Sequence, residues 1–340
     1  MKILLLSNPV SGGGHAAAMA GRLAERLVSA GHEVCSEPTR LEPPETWLDA
    51  LAADAELLVA VGGDGTVRLV APSAARIGVP VTHFPAGTEN LFAREWGMSP
   101  SAESLLEAIR HASVIEADLA CARTSPPSVT HTCRDMFLLM LSVGFDANVV
   151  HDLAAHRRSR ISHLTYVPSI LRQMFSYRPP RLWIEVDGRP VGRPGDRGFV
   201  VVANGARYAL GLNPVPEASM TSRRLNVALF PAESVPEVFD WIPHLVLRTQ
   251  LDDPRVARAA GERVTIVSDE PVRFQVDGDP PRVRDAVPRI EIELLPERLR
   301  VLLPGGVEGS VPGGAPGAFI ATADRTVGTT GALPPAGTDV

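Results

Sequence analysis

Three short stretches combine residue types suited to holding phosphate: Asn8 to Gly14 (NPVSGGG), Gly62 to Thr66 (GGDGT) and Pro85 to Asn90 (PAGTEN). Glycines let backbone approach a ligand closely, and successive N–H groups then form an anion-binding concavity. The hydroxyls of Ser11, Thr66 and Thr88 can add contacts to phosphate oxygens. Any one of these loops alone is an ordinary strand-to-helix turn. Together, and without a lysine, they suggest a nucleotide triphosphate held by amides and hydroxyls. Lys2 is the only lysine in the chain, which excludes a GxxxxGK[ST] loop and argues against a Schiff-base lysine. Asp64, set between glycines, adds charge that a bare phosphate cradle does not need. It is placed to orient a magnesium-bound water or a donor hydroxyl.

Each loop follows an apolar run and precedes a helical pattern. Up to about residue 118, strand-like runs (KILLLSN, HEVCSEPT, AELLVAVGG, VPVTHFPAG) alternate with helical ones (HAAAMAGRLAERLVSAG, PPETWLDALAAD, VRLVAPSAAR, SAESLLEAIRHAS). That alternation implies a parallel sheet with helices on its faces, where ligands bind beyond the carboxyl ends of the strands. Beyond it, short strand-like runs from DMFLLMLSVGFDA to RLRVLL follow one another between turn residues. They predict a mainly antiparallel sandwich, broken by one helical insert over 151–177. The expected organisation is a nucleotide-binding α/β domain over 1–120 and a β-rich domain over 121–303. The 304–340 tail, rich in Gly, Pro, Ala and Thr, is expected to be disordered.

The 340 residues carry a net charge of -6, which argues against a nucleic-acid binder. Cys35, Cys121 and Cys133 show no CxxC spacing, which argues against a zinc site and suits a reducing cytoplasm. The opening apolar run, Ile3 to Leu6, is too short for an export signal, and no run approaches a membrane-spanning length.

The set NPVSGGG, VGGDGT and PAGTENLFAR, in this order and spacing, resembles the diacylglycerol kinase catalytic domain. That superfamily includes bacterial lipid kinases and sphingosine and ceramide kinases, with a fold related to NAD kinase and phosphofructokinase. LSVGFDANVV, SRISHLTYVPSILRQM, VVANGARYALGLNPVPEA and FQVDGDP extend the resemblance over about 300 residues. It implies an ATP site using Asn8, Ser11, Gly12, Thr39, Gly62, Gly63, Asp64, Gly65, Thr66, Gly87, Thr88 and Asn90, with Mg2+ on the phosphates. The family's late Asp-Gly-Glu maps onto Asp277, the implied general base, with Asp279 in place of Glu. From residues alone, Asp277-Gly278 is equally a hairpin turn, as Asp187-Gly188 in EVDGR is expected to be.

The chain departs from the family pattern at three places. Val67-Arg68-Leu69 stands where a small or apolar residue and then Asn-Glu are usual, which leaves Arg68 either on phosphate or solvated on a first helical turn. Leu91 replaces an aspartate. Ser222 to Val227 (SRRLNV) replaces DGxLDV, so no metal is expected there, and Arg223 and Arg224 are candidates to supply the missing charge. The expected activity is ATP-dependent phosphorylation of a hydroxyl of diacylglycerol or a related lipid. The alternatives are a nucleotide-binding pseudokinase and a soluble-substrate kinase of the NAD kinase type. A lipid acceptor implies peripheral contact at the inner membrane face, for which the arginine-flanked segment 151–181 is the candidate, with Ile161, Leu164, Val167, Leu171, Met174 and Phe175 near helical spacing. Oligomeric state is left open.

Overall fold

A computed structural model describes residues 1–9, 11–40, 42–156 and 167–305. The expected tail beyond 305 and residues 157–166 of the expected insert lie outside these. So do the side chains of Val167 and Phe175.

The first half builds strands β1 (Lys2–Ser7), β2 (Glu33–Pro38), β3 (Leu57–Gly62), β4 (Val81–Pro85) and β5 (Val114–Ala117). Between them run helices α1 (His15–Ser29), α2 (Leu48–Ala52), α3 (Asp64–Ile77), α4 (Leu91–Trp96) and α5 (Ala102–His111). β1 to β4 are parallel, as the alternation predicts. Strand periodicity puts Ile3 and Leu5 on one face, against Leu23 and Leu27 of α1 and Leu105 of α5. Leu4 and Leu6 lie on the other, against Leu48 of α2, Val67 and Val70 of α3 and Phe92 of α4.

The second half contains β6 (Ala120–Thr124), β7 (Cys133–Phe137), β8 (Met140–Val143), β9 (Arg181–Val186), β10 (Arg189–Ala203), β11 (Leu225–Pro231), β12 (Ala257–Gly261), β13 (Arg263–Val272), β14 (Phe274–Val276), β15 (Val287–Leu294) and β16 (Leu299–Leu302). Helices α6 (Phe145–His156), α7 (Val167–Ser176) and α8 (Val235–Leu247) interrupt them. β6 to β15 pair antiparallel into a sandwich. Its core includes Phe137, Leu141, Val200, Val202, Ile266 and Phe274. β10 irregularly crosses between the two layers, pairing β9 early and β8 and β11 later, with a register shift between Val191 and Asp196.

The strand RLRVLL corrects the expected division. β16 leaves the sandwich and enters the first sheet between β4 and β5, giving the order β2-β1-β3-β4-β16-β5. Leu299, Val301 and Leu302 are buried there, which stabilises this placement. The chain thus crosses twice between the two halves, once at Asp118–Leu119 and once at Leu295–Arg298.

Candidate active site

The site lies where the loops after β1, β3 and β4 meet the hairpin after β14. Asn8 follows β1 and its N–H donates to Val61 O (3.2 Å). Ser11 N–H donates to Asn8 O (3.1 Å), opening a tight turn over Ser11–Gly14 that includes Gly12 and runs into α1. Thr39, just past β2, donates its N–H to Ser7 O (2.8 Å), so it sits at the same sheet edge.

The other two loops are pressed together. A methyl group on Gly87 would fall 2.7 Å from Gly63 Cα and 2.9 Å from the side-chain oxygen of Asn90. Asn90, at φ 50°, closes its own loop: Oδ1 accepts from Gly87 N–H (2.9 Å) and Nδ2 donates to Gly87 O (2.9 Å). Asp64 Oδ1 accepts from Phe92 N–H (2.8 Å) at the start of α4. The aspartate therefore ties the second loop to the third, which is one way of ordering the cleft. Thr88 is exposed at the tip of that third loop.

Thr66 departs from the sequence reading. It is 1% exposed, and its Oγ1 would lie 2.2 Å from a methyl group on Gly62. Its hydroxyl is turned inward beneath the strand end, where it has no hydrogen-bond partner among the described residues. α3 begins at Asp64, so Gly65 and Thr66 belong to its first turn and the positive end of the helix points at the loops. Beneath them lies His83, which the sequence reading missed. It is 2% exposed and its Nε2 is 2.9 Å from Gly62 O, which fixes the proton on Nε2. Burial lowers its pKa. Its only sequence signal was a histidine inside an apolar strand.

Asp277 and Gly278 form a two-residue hairpin with φ 48° and 83°, closed by Val276 and Asp279. Asp187 and Gly188 adopt the same backbone, at 48° and 76°. Both Asp-Gly pairs are hairpin turns. They differ in what the carboxylate does. Asp187 accepts from the N–H groups of Glu262 (3.2 Å) and Arg263 (2.9 Å) in an exposed loop. Asp277 is buried and accepts from Leu138 N–H (2.8 Å) at Oδ2, and from Leu139 (2.8 Å) and Met140 (3.0 Å) at Oδ1. Three of its roughly four acceptor positions are filled, which leaves one on Oδ2. Burial raises its pKa, against the opposing pull of Arg68 and the three amides.

Arg68 is neither solvated nor turned away. Its guanidinium donates to Val276 O (2.5 Å) and Asp279 Oδ2 (2.9 Å) with 20% of its side chain exposed. The residue that breaks the family pattern thus pins the first domain to the Asp277 hairpin. Asp279 in turn lies over the phosphate-side loop, 3.4 Å from where a Gly65 methyl group would stand.

A buried hydrogen-bond chain leads away from the hairpin. Gly278 N–H donates to Gln275 Oε1 (2.7 Å), Gln275 Nε2 donates to Ser142 Oγ (2.8 Å), and Ser142 Oγ donates to Asp146. Tyr208 also donates to Asp146 (2.5 Å). These residues lie in FQVDGDP, LSVGFDANVV and VVANGARYALGLNPVPEA, the stretches quoted for the resemblance, but no spacing rule marks them as partners. At the crossover, Asp118 is fully buried and accepts from Arg223 N–H (2.7 Å), Arg223 Nη1 (3.3 Å) and Arg298 Nε (3.1 Å). Arginines supply positive charge there, and Arg223 is one of the two candidates from SRRLNV. Arg224 instead bonds Ala260 O (2.5 Å).

Glycine loops at the end of a parallel sheet thus face a carboxylate hairpin on an antiparallel sandwich, a two-domain α/β-plus-sandwich arrangement. Residues 2–122 match the model of the diacylglycerol kinase catalytic domain, and residues 140–303 that of the YegS C-terminal NAD kinase beta sandwich-like domain. Together the two matches span most of the chain, which makes it a kinase with a diacylglycerol kinase catalytic domain. It is 24% identical over 253 residues to the protein named Probable lipid kinase YegS from Escherichia coli O1:K1, covering 73% of this chain and 78% of that protein. The same figures hold for the protein of that name in Escherichia coli O9:H4 strain HS. A solved diacylglycerol kinase structure from Bacillus anthracis str. Sterne superposes with a TM-score of 0.63 at 18% identity, covering 90% of this chain and 98% of that one.

Proposed function

We propose that this kinase transfers the γ-phosphoryl group of ATP to a hydroxyl of diacylglycerol or a related lipid. The observation that carries this reading is the docking of the Asp277 hairpin on the GGDGT loop through Arg68 and Asp279. That contact brings the hairpin beside the GGDGT loop, which supports reading Asp277 as the acceptor-side carboxylate. ATP would sit across the turns at Asn8, Ser11 and Gly12, at Gly62 to Gly65 and at Gly87 to Asn90, with Thr39 at the same edge.

Among the described residues no cluster of three or more His, Cys, Asp or Glu could cage a metal. That fits Mg2+, which keeps waters and binds through substrate phosphates with one or two carboxylates. Asp64 and Asp279 are the carboxylates at the loops that would hold it. When bound it would neutralise charge on the transferred phosphoryl group. Asp277 is the base: the one open acceptor position on Oδ2 takes the proton of the lipid hydroxyl as that oxygen bonds to phosphorus and the ADP oxygen leaves. Burial favours this, because a carboxylate with a raised pKa is a better proton acceptor.

No helix among the described residues is long and apolar enough to cross a membrane. The acceptor is met at a surface, with α7 contributing Leu171 (51% exposed) and Met174 (40%).

The test offers γ-labelled ATP and Mg2+ with diacylglycerol, a sphingoid base, phosphatidylglycerol and NAD in separate reactions. Label in a lipid supports the proposal. Label only in NAD, or bound ATP with no acceptor labelled, overturns it.

A further inference from the structure

A cavity of about 500 Å3 opens between α7, the start of α6, β10 and the β13–β14 connection. It is not the nucleotide cleft. It lies at the Arg273 end of β14, and Asp277 follows the other end, about 13 Å away for four residues at ~3.3 Å each. Three arginines line it: Arg178, Arg197 and Arg273. Arg197 holds the chain after α7 by donating to Pro179 O (2.7 Å) and lies 3.7 Å from Glu233. Arg178 and Arg273 make no ion pair or hydrogen bond among the described residues.

Tyr177 also lines the cavity. Its ring packs edge-on against Phe145 at 5.5 Å, yet its hydroxyl is buried and has no partner. A buried hydroxyl without a partner costs about 1–3 kcal/mol, so the site is incomplete as it stands. Asp269 and Glu270 line the cavity as well, but the Asp269 carboxylate is already engaged by the Arg181 N–H (3.3 Å) and Glu270 N–H (3.0 Å). The Glu270 carboxylate has no partner among the described residues, and against that one anion stand two unused guanidiniums and a hydroxyl donor. This is the donor set that a phosphate ester with a small polar head would satisfy. α7, whose Gln173 lines the cavity, also carries Leu171 and Met174 exposed on its surface. An anion site beside exposed apolar side chains matches a lipid, whose headgroup and chains need both.

We infer that this cavity binds the phosphate headgroup of an anionic phospholipid, holding the enzyme on the bilayer at a site separate from the phosphoryl-transfer centre. The inference rests on the lipid-kinase reading for its choice of a bilayer over a soluble phosphate ester.

The test is co-sedimentation of the full chain with phosphatidylcholine vesicles, with and without phosphatidylserine, at low ionic strength and without ATP. Phosphatidylserine has no free hydroxyl acceptor, so retention does not report the transfer site. Failure of lipid phosphorylation leaves this result readable, and failure here leaves the kinase reading standing. Retention is expected only with phosphatidylserine. The Arg178→Ala/Arg273→Ala variant should bind about 30-fold more weakly. Tyr177→Phe, which removes a buried hydroxyl that has no partner in the fold, should bind about 5-fold more weakly while its thermal stability is equal to or above the parent's. Arg22→Ala/Arg110→Ala, with the same charge loss on exposed helices of the other domain, should bind as the parent does. Equal losses in both double variants would show unspecific attraction and overturn the proposal. Undiminished binding in both Tyr177→Phe and Arg178→Ala/Arg273→Ala would also overturn it. Release of the vesicles by millimolar glycerol 1-phosphate or inorganic phosphate would assign the cavity to a soluble phosphate and overturn the lipid source.

Discussion

Replacing Arg68 with alanine removes the one side chain that bonds both Val276 O and Asp279 Oδ2 from the other domain. Hydrogen bonds to charged groups contribute about 1.5–3 kcal/mol each when well buried. Arg68 is 20% exposed and Asp279 43%, so screening reduces their sum. A loss of about 2 kcal/mol is expected, or a fall in Tm of about 5 °C. The pH dependence carries the sharper information. Burial raises the pKa of Asp277 in the folded state, and Arg68 opposes that rise. A carboxyl with a raised folded pKa favours the fold when protonated and costs stability once pH exceeds that pKa. Removing Arg68 raises it further, so the variant should lose more stability at pH 8 than at pH 5. The acid limb of its activity profile should move to higher pH. Denaturant titrations at the two pH values, with lipid phosphorylation followed across the range, make the measurement. A stability loss equal at both pH values, with an unmoved activity profile, would refute the coupling of Arg68 to Asp277.

Gly87→Ala should cost about 1–3 kcal/mol, because its methyl group meets Gly63 backbone at 2.7 Å. Gly21→Ala, in open space on α1, should be neutral or stabilising by up to about 1 kcal/mol in the same thermal scans. Gln275→Leu leaves Gly278 N–H without its acceptor and should cost about 1–3 kcal/mol. If the chain from Asp146 positions the hairpin, kcat should fall with little change in KM for ATP. Asp118→Asn should cost roughly 2–3 kcal/mol, less than the ~3–5 of a fully buried pair because Arg223 and Arg298 are about a third exposed. Urea unfolding reads this directly.

How much of this the residues announced depends on how local the signal was. The parallel sheet was legible because KILLLSN and AELLVAVGG are apolar runs ending at turn residues, and the sandwich because its strands are short and closely spaced. The place of β16 was not legible. RLRVLL reads as a strand in either sheet, and only the burial of Leu299 and Val301 between β4 and β5 decides between them. The glycine loops were legible as loops, but the inward turn of Thr66 depends on Gly62 lying against it. The role of Arg68 needed the hairpin 208 residues further on. The chain from Gly278 to Asp146 likewise joins residues 133 apart at its Gln275–Ser142 link. Such pairings leave no periodic trace in sequence.

The central claim is that Asp277 accepts the proton of a lipid hydroxyl as the γ-phosphoryl group of ATP is transferred. Transfer of label from γ-labelled ATP to diacylglycerol in mixed micelles, compared between the parent and Asp277→Asn, tests it most directly. Asparagine turns a donor toward one of the amides at Leu138 to Met140, so ATP binding and thermal stability are read on the same samples. The account predicts labelled lipid from the parent, and its loss from an Asp277→Asn protein that is still folded and still binds ATP. Undiminished labelling by that variant, or a parent that binds ATP and labels no lipid, would contradict it.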